Sequence, residues 1–150
     1  MVTHMAEKQK NPQKVSLHQI RELHKMERKK LHQLLQRQRL VNQLGLENDN
    51  TLLSAKEISK NKETESIIPL GGGIFVHATL TPNSLRRTLP GNIVVPATLD
   101  EVEKELVERI GIMSKEGEIV HKQIIETRTT LQSLTTLLQM AKFERGNMKK

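Results

Sequence analysis

The sequence predicts a mostly α-helical protein with a small β module, in which two long helices form an antiparallel coiled-coil hairpin joined by two β-hairpins. Long charged segments with apolar residues three and four positions apart flank the middle of the chain. That middle, residues 67–96, contains four of the five Pro and reads as short strands separated by turns. Apolar residues make up only 35% of 150, and two Phe are the only aromatic residues, which is too little for a large globular core. We expect one domain over residues 1–150, with a frayed tail over 1–13.

The first helix is predicted over residues 14–60. Its apolar residues form a narrow seam of the coiled-coil type, made of Leu17, Ile20, Leu31, Leu34, Val41, Leu52 and Ala55. Several polar residues share this seam: His24, Glu27, Gln38 and Asn48. Gly45 and the polar run 47–50 predict a kink or a short break, because Gly weakens a helix interior.

Four short strands follow a polar connector over residues 61–66, and they are predicted at 67–70, 74–80, 85–89 and 92–95. Turn residues separate them, with a Gly run at 71–73, Pro82-Asn83 and Pro90-Gly91. A Gly run can also cradle phosphate, but such a loop opens a helix, and residues 74–80 alternate as a strand does. Two isolated hairpins are marginal in water and leave open edges. We therefore expect this module to pair with strands of other chains.

The second helix is predicted over residues 98–143, followed by a frayed end over 144–150. Thr98 and Glu101 match a capping box, in which the two residues bond each other's backbone N–H. Its seam recurs at seven-residue steps: Leu99, Leu106, Met113, Val120, Thr127, Leu134 and Ala141. Gly111 and Gly117 weaken the middle of this helix.

The sequence lacks the residues that several classes of function require. Cys is absent, so no disulfide framework or thiolate chemistry is expected. His18, His24 and His32 are six and eight residues apart, whereas metal ligands on one helix face are three or four apart. No Ser has evident His and Asp companions, and two extended helices provide no catalytic pocket. We predict a protein that is not an enzyme and has no cofactor or metal.

Location and charge are the remaining sequence-wide features. There is no apolar run of about 18 residues and no apolar segment near the first residues, so the expected location is the cytoplasm. The net charge is +7. The excess lies in residues 1–46, which carry ten Lys and Arg against three Glu. Such an excess is typical of a solvated helix face, and it also occurs where nucleic acid binds.

The order of elements and one local motif resemble the prefoldin family. The motif is the run over residues 67–76, I-I-P-L-G-G-G-I-F-V, followed by a second hairpin with Gly91 at its turn and by the helix from Thr98. An apolar-Pro-Leu strand that leads through small residues into the next strand is similar to the alpha class of that family. Two hairpins, rather than one, also favour the alpha class over the beta class. The high pI and the polar residues in the first seam depart from the family pattern.

The resemblance implies an ATP-independent co-chaperone. In that family, two alpha-class and four beta-class subunits assemble through their hairpins, and the ends of the coiled coils hold unfolded or nascent clients for a group II chaperonin. The implied assembly strands contain Ile67, Ile68, Leu70, Ile74, Val76, Leu80, Leu85, Ile93, Val94 and Val95. The implied client-binding residues are Leu17, Ile20, Leu23, Met26, Leu137, Met140 and Phe143.

The sequence also leaves open a function of a different class. A basic coiled-coil protein that binds RNA or the ribosome, or a scaffold protein, is also compatible with the charge of the first helix. The residues that would contact phosphates are Lys25, Arg28, Lys29, Lys30, Arg37 and Arg39.

Overall fold

The structure is a computed structural model that describes residues 15–60 and 62–149. It is mostly helical, with two small antiparallel hairpins, as the sequence predicts. In chain order the elements are α1 (Leu17–Lys60), β1 (Thr64–Gly71), β2 (Ile74–Leu80), β3 (Arg86–Leu89), β4 (Ile93–Pro96) and α2 (Leu99–Asn147). The tail predicted over residues 1–13 lies outside the described residues, as does Lys14 at the predicted start of the first helix.

The chain divides into two compact units, and each contains part of both helices. We call Met1–Gln33 with Ile124–Lys150 the end unit, and Leu34–Gln123 the strand unit. In the strand unit the helices run antiparallel, because Arg37 pairs with Glu116, and Lys56, later in α1, pairs with Glu103, earlier in α2. The single domain expected over residues 1–150 stays a prediction.

Of the buried residues in the two described helices, all except Ile124 lie on the predicted seams. On α1 the buried residues are Leu34, Val41 and Ala55, and on α2 they are Leu106, Val120, Ile124, Thr127 and Leu134. Their spacing of seven residues or a combination of three and four is that of coiled-coil packing. The polar seam residues His24, Glu27, Gln38 and Asn48 are half-buried, so the seam of α1 accommodates them at its margin.

Side-chain caps define where both helices begin. The Thr98 N–H donates to Glu101 Oε2 and the Glu101 N–H to Thr98 Oγ1, each over 3.2 Å, which is the predicted capping box. An equivalent pair at the start of α1 was not predicted. There the Ser16 N–H donates to Gln19 Oε1 over 2.8 Å and the Gln19 N–H to Ser16 Oγ over 3.2 Å. This Ser-x-x-Gln box places the start of α1 at Leu17 rather than at residue 14.

The break predicted near Gly45 is wrong, because α1 is one helix from Leu17 to Lys60. The seam continues across this region, with Val41 buried before it and Ala55 after it. Within the polar run, Glu47 accepts hydrogen bonds from Gln43 at its side chain and from Thr51 at its backbone carbonyl. Packing and these local bonds outweigh the cost of one Gly, which is about 1 kcal/mol. At the other end of the chain, α2 continues to Asn147, four residues past the predicted end.

The strands form two separate two-stranded sheets. Half of the predicted connector, residues 64–66, belongs to β1, because these residues pair with residues 78–80 of β2. β3 and β4 each begin one residue later than predicted. Leu85 therefore precedes β3, although its carbonyl accepts a hydrogen bond from the Ala97 N–H over 3.0 Å.

Glycines form the hairpin turns because these positions need positive φ. Gly72 and Gly73, at φ 59° and 78°, connect β1 to β2, and Gly71 before them has φ 107°. Two consecutive residues with positive φ are typical of the two-residue turn that matches strand twist. Gly91 and Asn92, at φ 86° and 60°, lie in the turn of the second hairpin, where residues 90–92 connect Leu89 to Ile93. The turn interpretation of the Gly run is thus confirmed.

Candidate interaction surfaces

The first hairpin exposes large apolar side chains on both of its faces. Cross-strand partners share a face, so Ile68 and Val76 lie on one face, while Phe75, opposite Pro69, lies on the other with Ile67. Ile67 is 63% exposed and Phe75 61%. Because a hairpin gains stability by covering an apolar face, this hairpin presents two surfaces that a further strand or sheet can cover.

Seven of the ten predicted assembly residues are exposed, and they are Ile67, Ile68, Leu70, Ile74, Val76, Ile93 and Val94. Leu80, Leu85 and Val95 are half-buried. Phe75 was not among the predicted residues, because the alternating pattern assigned one apolar face to β2 and left Phe75 on the polar one. In the sequence, Phe75 stands between the apolar residues Ile74 and Val76. Such an uninterrupted apolar run is the signal that both faces are apolar.

The second hairpin is linked to α2 by charge. Arg87 on β3 has its Nη1 3.6 Å from Glu105 Oε2 on α2, and Glu105 also pairs with Arg109 one turn later. Arg87 and Leu89 are half-buried, whereas Ile93 and Val94 on β4 are exposed. The exposed apolar residues therefore lie on β4, the strand that leads into α2.

The end unit carries the second set of exposed apolar residues. Five of the seven predicted client-binding residues are exposed there, and they are Leu23, Met26, Leu137, Met140 and Phe143. Phe143 is the most exposed of them, at 71%. Leu17 and Ile20 are half-buried, so part of each side chain packs in the seam. Their place in the seam was already predicted from the three- and four-residue spacing.

Polar groups of the described residues do not gather into a metal site. Within residues 15–60 and 62–149 there is no cluster of three or more His, Asp or Glu side chains that would hold an ion. His24 Nε2 lies 3.2 Å from Thr135 Oγ1 and so joins α1 to α2 in the end unit. His77 and His121 are exposed.

An open groove lies between α1 and α2 in the strand unit. It forms where Gly45 and Gly117 lack side chains, and Met113 and Val41 line it together with the acidic Asp49. A Cβ at Gly117 would be 3.8 Å from Val41 Cγ1, so the helices approach there without crowding.

No helix within the described ranges is long and apolar enough to cross a membrane.

Comparison with solved structures identifies the fold. The cryo-EM structure of filamentous PFD, a prefoldin, from Methanocaldococcus jannaschii matches 80% of this chain and 98% of that chain, with a TM-score of 0.58 and 13% sequence identity. The chain has the prefoldin fold. No family model and no curated protein matches the sequence. At this identity the match concerns the path of the backbone alone. The prefoldin fold thus places the apolar hairpins and the apolar helix ends in a known architecture.

Proposed function

We propose that this chain is an alpha-class prefoldin subunit that acts as an ATP-independent holdase. The observation that supports it most directly is the pairing of two features on one chain. Two hairpins have uncovered apolar faces, and the end unit exposes apolar side chains. The first feature suits assembly and the second suits capture of unfolded chains. The alpha class is supported by the presence of two hairpins.

Assembly follows from the state of the hairpins. Ile67 and Phe75 on one face and Ile68 and Val76 on the other have no covering layer in the single chain. Strands from other subunits would pair with the open edges and cover these faces. We propose beta-class subunits as partners, in a hexamer of two alpha and four beta chains.

Client binding would occur at the exposed apolar residues of the end unit. Met26 and Met140 have flexible side chains that adapt to different surfaces, which suits clients of varied sequence. Several subunits binding the same unfolded chain add their weak contacts through high effective concentration. Each contact stays weak enough for release, which fits transfer of the client to a group II chaperonin in the cytoplasm.

The test replaces four exposed apolar residues of the end unit in the assembled complex: Leu23→Ser, Leu137→Ser, Met140→Ser and Phe143→Ser. Light scattering then measures the concentration of complex that is required to suppress aggregation of a chemically unfolded client. We expect the required concentration to rise about tenfold, since losing about 1.4 kcal/mol of apolar contact has that effect.

The matched control replaces four exposed apolar residues of the helices in the strand unit: Leu53→Ser, Val107→Ser, Ile112→Ser and Ile119→Ser. These variants should retain suppression, because the substituted residues are not part of the end unit. Unchanged suppression by the end-unit variant, or equal loss in both variants, would contradict the assignment of the client site.

A further inference from the structure

The end unit carries an excess of positive charge that the proposed holdase function does not use. Its described residues, 15–33 and 124–149, include nine Lys and Arg against four Glu. Apolar clients do not need this charge. The arrangement of the charges in three dimensions shows whether they form a surface.

One hydrogen bond defines a common side of the two helices. His24 Nε2 and Thr135 Oγ1 lie 3.2 Å apart, so the flank of α1 that carries His24 meets the flank of α2 that carries Thr135. On a helix, residues three, four or seven positions apart share a face. Arg21 and Arg28 are three residues before and four after His24, and Lys25 lies between them on the outer part of that flank.

The flank of α2 continues the same surface. Arg128 and Lys142 stand seven residues before and seven after Thr135, so all three lie in one line along α2. We call Arg21, Lys25, Arg28, Arg128 and Lys142 the basic side. All five side chains are exposed. Within the described part of the chain, none of the five forms a salt bridge.

Acidic residues of the end unit lie away from the line through Thr135. Glu126 and Glu144 are nine residues before and nine after Thr135, which places them on the opposite face of α2. Glu27 is half-buried at the seam. Glu22 stands three residues before Lys25, so it borders the basic side on the outer face of α1. Between Arg128 and Lys142 there is no charged residue, only Thr, Ser, Gln and apolar residues. On α2 the basic side thus presents cations together with neutral hydrogen-bonding groups.

The chemistry of such a surface favours a regular polyanion. An exposed ion pair with a single carboxylate contributes little at physiological salt, so scattered acidic residues of a polypeptide would bind weakly. A nucleic acid instead releases condensed counterions for each phosphate that is neutralised. Arg21, Lys25 and Arg28 are spaced about 6 and 4.5 Å along the helix axis, given a rise of 1.5 Å per residue. Phe143 is the one aromatic residue among the end-unit residues that the structure describes, so base stacking contributes little.

We propose that the basic side binds the phosphate backbone of a nucleic acid, independently of base sequence. This activity goes beyond the proposed holdase function and rests on different residues. Because the contacts are to phosphate, RNA and DNA share the required chemistry. Hydrogen bonds from the Thr and Gln side chains between Arg128 and Lys142 would add a preference for RNA where they reach the 2′-hydroxyl.

The experiment measures binding of the full-length assembled protein to fluorescent single-stranded RNA and DNA of the same mixed sequence by anisotropy. With five phosphate contacts, we expect the affinity to fall roughly 100-fold between about 50 mM and about 200 mM salt. RNA and DNA binding with equal affinity supports contacts to phosphate alone, and tighter RNA binding supports added contacts to the 2′-hydroxyl. Absence of salt dependence, or equal competition by poly-glutamate, would overturn the proposal.

Matched variants separate the basic side from the net charge of the chain. Arg21→Gln, Lys25→Gln and Arg28→Gln together should lower the slope of log affinity against log salt by about 2 for a single strand. Lys104→Gln, Lys115→Gln and Lys122→Gln remove the same charge from exposed positions of α2 in the strand unit. These control substitutions should leave the slope and affinity nearly unchanged. An equal loss in the two triple variants would mean that net charge alone binds nucleic acid, and the proposal would fail.

Discussion

Thr127 is a polar residue at one of the most buried positions of the seam. It is 2% exposed, and its Oγ1 has no hydrogen-bond partner among the residues that the structure describes. Other hydroxyls of α2, such as that of Thr130, donate to the carbonyl four residues earlier, here Glu126 O over 3.0 Å. A buried hydroxyl without a partner costs about 1–3 kcal/mol. The coiled coil therefore contains a local defect in the end unit.

Replacing Thr127 by Val should stabilise the fold. Val has nearly the same shape and removes the unpaired hydroxyl, so we expect the free energy of unfolding to rise by about 1 kcal/mol. Urea denaturation followed by circular dichroism measures this change. Thr130→Val is the control, since Thr130 is exposed, and it should change the free energy by less than about 0.5 kcal/mol. A loss of stability in Thr127→Val would show that its hydroxyl is satisfied in solution.

Seam positions could be predicted residue by residue, whereas the hydrogen bonding of each side chain could not. The seven-residue spacing alone placed Thr127 between Val120 and Leu134. Whether its hydroxyl finds a partner depends on the backbone geometry of its own turn and on the facing helix. Phe75 was left out of the assembly residues for a similar reason, because alternation in a strand predicts a buried face only when something covers that face.

At the scale of the elements, glycines have opposite effects in helices and in turns. Gly111 and Gly117 lie within α2, where a Cβ would meet nothing within 4 Å or only an ordinary contact with Val41. Gly72 lies in the first hairpin turn, where a Cβ would also meet nothing within 4 Å. Its φ of 59° nevertheless disfavours other residues. Since space is available at all three sites, backbone preference alone decides the effect of adding a methyl group.

Alanine should therefore stabilise one element and destabilise the other. Gly111→Ala and Gly117→Ala should each raise the free energy of unfolding by about 1 kcal/mol, the helix propensity difference between Ala and Gly. Gly72→Ala should weaken the first hairpin by about 1–2 kcal/mol. Urea denaturation measures the helix variants, and hydrogen exchange of the β1 and β2 amides measures the turn variant. Gly72→Asn is the control for the turn, because Asn tolerates positive φ. A stabilising effect of Gly72→Ala would contradict the turn geometry.

Element types were easier to predict than element limits. Periodicities of 3.6 and 2 predicted both helices and all four strands, because each pattern extends over several residues. Limits depend on single contacts, such as the Ser16–Gln19 box and the pairing of Thr64 with Leu80. A polar strand end such as residues 64–66 has the composition of a loop, and only its partner strand makes it β-structure.

For the whole molecule, the sequence predicted the fold class because low apolar content, long seams and a short β module exclude most other architectures. Composition also indicated that other chains must contribute to burial. The identity of those chains is not contained in one sequence, since the exposed faces of the first hairpin specify shape and apolarity rather than a particular partner. The candidate client residues were identified through the resemblance, and their exposure required coordinates.

The apolar faces of the first hairpin should control assembly. Replacing Ile67, Ile68, Phe75 and Val76 by Thr keeps residues that favour strands but removes apolar surface from both faces, so subunits should no longer associate. Native mass spectrometry of the chain purified with a beta-class subunit measures the change. The unmodified chain should give a hexamer. The variant should give free subunits, and its helix content should be unchanged. Glu65→Gln with Thr79→Ser, an exposed polar pair of the same hairpin, is the control and should leave the hexamer intact. A full-sized complex from the fourfold variant would contradict assembly through this hairpin.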